Sequence, residues 1–151
     1  MFDSLNISAS ALTAGRLRMD VSSSNIANAS TTRGKFVNGV WEPYRRKMVV
    51  MEPREKSFNQ VLQGELQKQN GSNPAMQGVR VTGIIEDQTP FKTVYDPTNP
   101  DANADGYVMM PNVDLSKEMV DMLAASRSYE ANVTAFNSGK SMMLKALEIG
   151  R

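Results

Sequence analysis

The sequence contains no cysteine and no histidine. Without cysteine there can be no disulfide bond, cysteine-zinc site or thiol catalysis. Without histidine the Ser-His-Asp arrangement and the commonest general base near neutral pH are excluded. An enzyme would have to use carboxylates, lysine or tyrosine, and the scattered residues Glu52, Glu55, Glu86 and Asp87 do not indicate the facing pair that a glycosidase needs. The composition therefore argues against an enzyme.

A strong net charge and a long apolar run are also absent. The net charge is +1, so no strong field favours nucleic acid or an anionic membrane. The basic cluster 45–47 is expected to lie on the solvated face of a strand. No apolar run reaches the roughly 18 residues of a membrane-spanning helix, and the N-terminus lacks the pattern of a cleaved secretory signal. We therefore expect no nucleic-acid partner and no membrane span.

The C-terminal segment places two rows of residues on one long helix, predicted over 113–148. Each row repeats at intervals of seven, and together they form a narrow stripe of the kind that coiled coils bury. Such a stripe needs a partner helix. The rows are Leu115, Met122, Tyr129, Phe136 and Met143, and Met119, Ser126, Val133, Lys140 and Leu147.

The N-terminal segment offers that partner, as a helix predicted over 4–28 with Asp3 or Ser4 as its N-cap. Its apolar row also repeats at intervals of seven and is flanked by small residues, which let another helix come close. The row is Leu5, Leu12, Met19 and Ile26. One narrow seam leaves much of each helix uncovered, so we expect neighbouring subunits to contribute to the stability of both helices.

Between the helices the pattern changes to short extended segments. Strands are predicted at 40–42, 44–51, 79–85, 91–95 and 107–110, separated by Asn-Gly, Asp-Pro, Asn-Pro and Asp-Gly turns. The fold class is therefore α+β: long N- and C-terminal helices form a coiled-coil-like pair around a small, β-rich and loop-rich middle. We divide the chain into an N-terminal helix (1–30), a middle segment (31–111) with a variable insertion at about 54–77, and a C-terminal helix (112–151), as one structural unit.

Two polar motifs stand out. The segment 101–106 matches the first half of a calcium loop through Asp101, Asn103 and Asp105, but the twelfth position is Asn112 instead of glutamate, so a plain turn is favoured. Asn25 and Asn28 share one helix face where the N-terminal helix ends. Their amides can bind the last carbonyls of that helix or a neighbouring chain, and we take them as candidate polar contacts that fix register.

The segment 23–35, Ser-Ser-Asn-Ile-Ala-Asn-Ala-Ser-Thr-Thr-Arg-Gly-Lys, resembles a motif near the N-terminus of bacterial flagellar rod and hook axial proteins. The segments 106–114, 118–120, 126–133 and 140–147 resemble the C-terminal pattern of the same family, and of its proximal rod subunits in particular, as does the turn at 95–100. The resemblance covers about 1–50 and 78–151. It implies a structural protein without enzyme activity or cofactor.

The resemblance also implies a helical tube that transmits torque from rotor to hook and forms part of an export channel. The implied partners are other rod proteins, copies of the chain itself and the flagellar export apparatus, with envelope rings or cell wall as further candidates and no small-molecule substrate. The implied location is the basal body, outside the cytoplasmic membrane, after synthesis in the cytoplasm and export without signal cleavage.

The residues expected at the assembly interface are Leu5, Leu12, Met19, Ile26, Leu115, Met119, Met122, Tyr129, Val133, Phe136, Met143 and Leu147. Three alternatives are open: another flagellar axial protein, a soluble coiled-coil adaptor, or a calcium-binding module that uses the loop at 101–106.

Overall fold

The computed structural model describes residues 2–37, 39–54 and 78–149, in which two long helices flank six short strands. Most of the predicted insertion at 54–77 and Asn38 of the predicted Asn-Gly turn lie outside the described residues. The α+β prediction is confirmed, while the division into three segments stays a prediction. The elements are α1 (Phe2–Ala27), β1 (Lys35–Val37), β2 (Val40–Glu42), β3 (Lys47–Pro53), β4 (Val79–Glu86), β5 (Lys92–Tyr95), β6 (Tyr107–Met110) and α2 (Leu115–Ile149).

The two helices pack against each other as an antiparallel pair, and small residues mark their close approaches. A Cβ atom added to Gly139 would lie 3.2 Å from Leu5, and one added to Gly15 would lie 3.7 Å from the Tyr129 ring. The step from Leu5 to Gly15 along α1 thus corresponds to the step from Gly139 back to Tyr129 along α2, as expected for antiparallel helices. The glycines let the larger side chain of the opposite helix come close to the backbone.

One face of α2 is covered and the opposite face is not. Met122, Tyr129, Phe136 and Met143 of the first predicted row are half-buried, and Ala125 is fully buried between them. This row stays on the covered face from Met122 to Met143 although it repeats strictly at seven, as in a coiled-coil pair. The predicted interface residues Leu115 and Leu147 lie at the two ends of α2 and Met119 lies one position beyond the buried Glu118, and all three are exposed in the single chain.

Side chains cap both helices where the chain enters the middle segment. Asp114 accepts hydrogen bonds from the backbone N–H groups of Ser116 (3.0 Å) and Lys117 (3.3 Å) at the start of α2. Asn28 donates to the Ser24 carbonyl (2.9 Å) at the end of α1. At the other terminus α1 begins at Phe2, earlier than predicted, so neither Asp3 nor Ser4 occupies the cap position.

The strands form three separate antiparallel pairs, β1–β2, β3–β4 and β5–β6. The predicted strands at 40–42, 79–85, 91–95 and 107–110 are confirmed within one or two residues. The strand predicted from Tyr44 begins only at Lys47, because the Tyr44 N–H donates instead to the Thr31 carbonyl (3.1 Å). The pair β1–β2 ends at Val37 and Val40, and Gly39, directly before Val40, has φ +86°, a conformation that favours glycine.

Candidate functional site

A buried polar cluster joins α1, β3 and α2 at the end of the helix pair nearest the strands. We call it the polar node; its side chains belong to Asn25, Tyr44, Arg46 and Glu118. Both Asn25 and Glu118 are 1% exposed. Because they lie on the first and last elements of the chain, their bonds fix how the two helices and the middle segment sit against one another.

Asn25 uses its full hydrogen-bonding capacity in the polar node. Its Oδ1 accepts from the Tyr44 hydroxyl and from the Lys47 backbone N–H, both at 2.9 Å. Its Nδ2 donates to the Lys47 carbonyl at 2.9 Å and to Glu118 Oε2 at 3.0 Å. A primary amide has two donors and two acceptor positions, and all four are used here. The side chain therefore both donates to and accepts from the Lys47 backbone, as a neighbouring strand would, and its second N–H binds Glu118 of α2.

Glu118 receives the Arg46 guanidinium on its other oxygen, through a short hydrogen bond from Arg46 Nε. The Arg46 side chain is only 14% exposed and also lies 3.6 Å from carboxylate oxygens of Asp87 and Asp121. Burial lowers the pKa of Arg46, but the hydrogen bond and charge of Glu118, with those of Asp87, outweigh it, and the pKa is raised from its ordinary value. The guanidinium is therefore a permanent charge held by three carboxylates.

The expectation that 45–47 forms a solvated basic face is wrong. Arg46 is drawn into the polar node because β3 packs on α1, close to the start of α2 where Glu118 and Asp121 lie. Arg45 stacks over the Phe91 ring, with its guanidinium carbon 4.4 Å from the ring centroid. These residues link the middle segment to the helices and to β5.

Asn28 acts locally. Its amide caps α1, and its Oδ1 accepts from the Thr31 hydroxyl at 3.3 Å. The loop that follows is tied to the 101–106 segment, since Asp101 accepts from the Thr32 hydroxyl (2.7 Å) and from Arg33 Nε (2.8 Å). The Arg33 hydrogen bond first, and then that of Thr32, holds the pKa of Asp101 below its usual range.

These bonds bear on the calcium alternative. Asp101, at the first ligand position of the loop, accepts hydrogen bonds from the Thr32 hydroxyl and the Arg33 guanidinium, whose positive charge would repel a cation at the same carboxylate. Within 2–37, 39–54 and 78–149 no group of three or more acidic, histidine or cysteine side chains is placed to hold a metal ion. The loop is better explained as a structural turn.

The lowered pKa of Asp101 predicts an acid-dependent link between the two loops. A carboxyl group whose pKa is lower in the folded state stabilises the fold above its unfolded pKa, and that contribution disappears as pH falls through the folded pKa. In a ¹³C NMR titration of the carboxyl carbons, the pKa of Asp101 should lie below the ordinary range of an aspartate, and it should rise toward that range in Arg33→Gln. The same Asp101 midpoint in both chains would contradict the pairing.

The exposed side of α2 carries a second candidate site. We call Leu115, Met119, Val120 and Leu123 the outer face of α2; their exposed fractions run from 45% to 65%. These apolar side chains lie opposite a helix face that α1 already covers. Contiguous apolar surface of this kind marks interaction sites in soluble proteins. In the described residues neither helix is long and apolar enough to cross a membrane.

Both ends of the chain match families of known proteins. A family model described as "Flagella basal body rod protein" matches residues 5–35, and one described as "Flagellar basal body rod FlgEFG protein C-terminal" matches 104–149. The flagellar basal-body rod protein FlgC of Bacillus subtilis (strain 168) is 59% identical over 150 residues, which cover 99% of this chain and 98% of that protein. The chain belongs to the FlgC family of flagellar basal-body rod proteins.

Other FlgC proteins are similar over comparable lengths. That of Borreliella burgdorferi is 46% identical, covering 99% of this chain and 97% of its own, and that of Escherichia coli O157:H7 is 44% identical, covering 97% and 95%. The resemblance to flagellar rod proteins noted in the sequence is thereby confirmed. As a FlgC-family member the chain is a structural component of the flagellar basal-body rod, and neither family named above is a family of enzymes.

The two family models match the regions that contain Asn25 and Glu118, one on each helix. Of the polar node, only Asn25 was singled out from the sequence. Glu118 could have been found from its spacing: it lies four residues before Met122 and so falls on the covered stripe of α2, where a charged residue needs a partner. No sequence pattern of this kind predicts the burial of Arg46.

The predicted interface residues fall into two groups. Nine are half-buried in the single chain, and three are exposed and free to contact another subunit. That these twelve residues contact other subunits stays a prediction. The same holds for the proposed role of Asn25 and Asn28 in fixing the register between subunits. The half-buried group is Leu5, Leu12, Met19, Ile26, Met122, Tyr129, Val133, Phe136 and Met143.

Proposed function

We propose that this chain is a subunit of the proximal rod that polymerises through its terminal helices into a helical tube. The tube transmits torque from rotor to hook and forms part of the export channel. The observation that carries the proposal is the outer face of α2, because α1 covers only the opposite face of that helix. A rod subunit needs such a surface for its neighbours, whereas a self-sufficient helical hairpin does not.

The assembly geometry follows from the need to build a tube. Contacts in an open helical assembly are heterologous: each subunit offers two different surfaces that do not close into a ring. The partners we propose are copies of the chain and other rod proteins, with the export apparatus handling the chain after synthesis in the cytoplasm. Export proceeds without signal cleavage, and the assembled location lies outside the cytoplasmic membrane. The proposed role needs no enzyme activity and no cofactor.

The polar node suits a rod subunit that has to transmit torque. It ties the helices to the middle segment through the almost completely buried Asn25 and Glu118, so the bonds of these two side chains are sheltered from water and salt. A load applied to one element is then shared among α1, β3 and α2. The adaptor alternative has no comparable support, since the relatives named above are basal-body rod proteins.

The variant Met119→Asp tests the outer face. Met119 is 53% exposed, so the aspartate should leave the isolated chain folded while placing a charge in an apolar contact between subunits. In a strain whose own gene is deleted in frame, the unaltered chain should restore swimming, and Met119→Asp should restore less than a tenth of the swimming-halo diameter. Circular dichroism of the purified variant should match that of the unaltered chain.

Ser128→Asp is the matched control, because Ser128 is an exposed polar residue on the same helix and should tolerate the charge. Full swimming with Met119→Asp would show that the outer face of α2 does not contact another subunit. Swimming of the deletion strain itself, with intact rods in electron micrographs, would overturn the proposed function.

A further inference from the structure

An apolar cleft lies between the β1–β2 and β5–β6 hairpins, which we call the aromatic cleft. Its volume is about 270 Å³. Its apolar wall consists of Val40, Trp41, Pro43 and Met109, and its polar rim consists of Thr32, Arg33, Asp101 and Asn103. The bonds of Thr32 and Arg33 to Asp101 hold the two sides of the rim together.

The cleft is preformed, and its apolar wall is open to solvent. The Trp41 ring is held by Phe36, with ring centroids 5.1 Å apart. Trp41 is nevertheless 53% exposed, and Val40 and Met109 are 66% and 49% exposed. Aromatic side chains fixed in such a setting offer a large contact area at low entropic cost.

The second feature is the far end of α2, residues 143–149, which we call the tail. Leu5 lies opposite Gly139 and α1 begins at Phe2, so the tail projects beyond the start of α1 by about 10 Å at 1.5 Å per residue. Three of its apolar side chains are exposed: Leu144 at 53%, Leu147 at 72% and Ile149 at 86%. Beyond the half-buried Met143, these three side chains are therefore not covered by α1.

The tail and the aromatic cleft cannot meet within one chain. Glu118, in the polar node, and Leu147, in the tail, are separated by about 43 Å along α2. The aromatic cleft lies at the polar-node end, since its rim residues Thr32 and Arg33 directly follow α1. The molecule thus exposes an apolar helix end and, far from it, an apolar cleft, and a heterologous contact between identical subunits uses two different surfaces of this kind.

We propose that the aromatic cleft of one subunit receives the α2 tail of a second copy of this chain. The proposal rests on the proposed function, since it names a contact within the rod. The electrostatics agree with it: the last carbonyls of a helix carry partial negative charge, and the rim presents Arg33, whose side chain is 55% exposed. Arg33 uses only Nε and one Nη on Asp101, which leaves further N–H groups of the five for the helix end.

Disulfide crosslinking tests this contact directly, because the chain has no cysteine of its own. Cells of the deletion strain would produce Val40→Cys and Leu147→Cys chains together, and isolated basal bodies would be oxidised. We expect a covalent dimer on non-reducing gels that disappears on reduction. The double variant Val40→Cys/Leu147→Cys should instead give a ladder of dimers, trimers and higher species, since each chain then has both halves of the contact.

The matched control replaces Val40→Cys by Ile85→Cys, which lies on β4 outside the cleft and is 50% exposed. No specific dimer is expected with Leu147→Cys in that case. Equal dimer yields in both pairs, or no dimer from variants that restore swimming, would overturn the tail contact while leaving the rod function intact. A tail seated on a different rod protein would also give no dimer of this chain.

If the cysteine variants fail to assemble, fluorescence decides the question. Trp41 is the only tryptophan in the chain, so its emission reports on the cleft alone. As the concentration of the purified full chain rises, its emission maximum should shift to the blue, and the shift should be absent in Leu147→Asp. The absence of a concentration-dependent shift in the unaltered chain would overturn the proposal.

Discussion

Replacing Glu118 by alanine is expected to lower the free energy of unfolding by about 3 kcal/mol or more. The variant removes the closest partner of the Arg46 guanidinium, whose side chain is 14% exposed, and leaves one Asn25 donor without its acceptor. Removing one member of a buried ion pair costs more than the pair contributes, because the remaining charge stays buried. Urea unfolding of the purified chain, followed by circular dichroism, measures the change.

Glu130→Ala is the matched control on the same helix. Glu130 makes an exposed pair with Arg127 at 3.0 Å, with side chains 60% and 74% exposed. Such surface pairs contribute about 0.5 kcal/mol or less. Both variants replace glutamate by alanine in α2, so the change in helix propensity cancels when they are compared. A difference between their free energies of unfolding therefore reports on burial and hydrogen bonding. Equal losses in both variants would show that the polar node does not stabilise the helix pair.

Replacing Gly34 by alanine should be the second most damaging change, costing about 3 kcal/mol through overpacking. A Cβ atom at position 34 would lie 2.6 Å from the Tyr44 backbone nitrogen and 2.7 Å from its Cα. Neither side can yield easily: the Gly34 N–H donates to the Glu42 carbonyl (2.8 Å), and the Tyr44 N–H donates to the Thr31 carbonyl (3.1 Å). A lower midpoint of thermal unfolding should reveal the strain.

Gly83→Ala provides the comparison for this change. No atom beyond its chain neighbours lies within 4 Å of the position that its Cβ would take, and its φ is not in the left-handed region. The expected change is within about 0.5 kcal/mol. A thermal midpoint for Gly34→Ala that matches Gly83→Ala would mean that the Tyr44 backbone moves aside without cost.

Local patterns predicted the long elements well. The two helices follow from uninterrupted apolar periodicity, and the Asp114 cap follows from the residue type that precedes α2. Strands β4, β5 and β6 follow from alternation bounded by proline, asparagine and glycine turns. In each case the residues that determine the element lie within a few positions of one another, so sequence alone is sufficient.

The parts that the sequence did not predict depend on long-range contacts. Strand β1 has only three residues, and its pairing with β2 is what defines it. The burial of Arg46 depends on Glu118, 72 residues later, and on Asp87. Of the seam residues, Leu115 is exposed because it lies at the very start of α2, and Met119 is exposed because it lies one position off the covered row that contains Glu118 and Ala125.

The polar node also determines when the chain can finish folding. Asn25 lies in the first element and Glu118 in the last, so a growing chain that ends before α2 holds Asn25 and Arg46 without their acidic partner. Contacts between such distant positions form late, because a long loop must close first. The strand pairs β1–β2 and β5–β6 are local and need no such closure. A chain that ends before α2 therefore lacks the contacts that hold the two helices together.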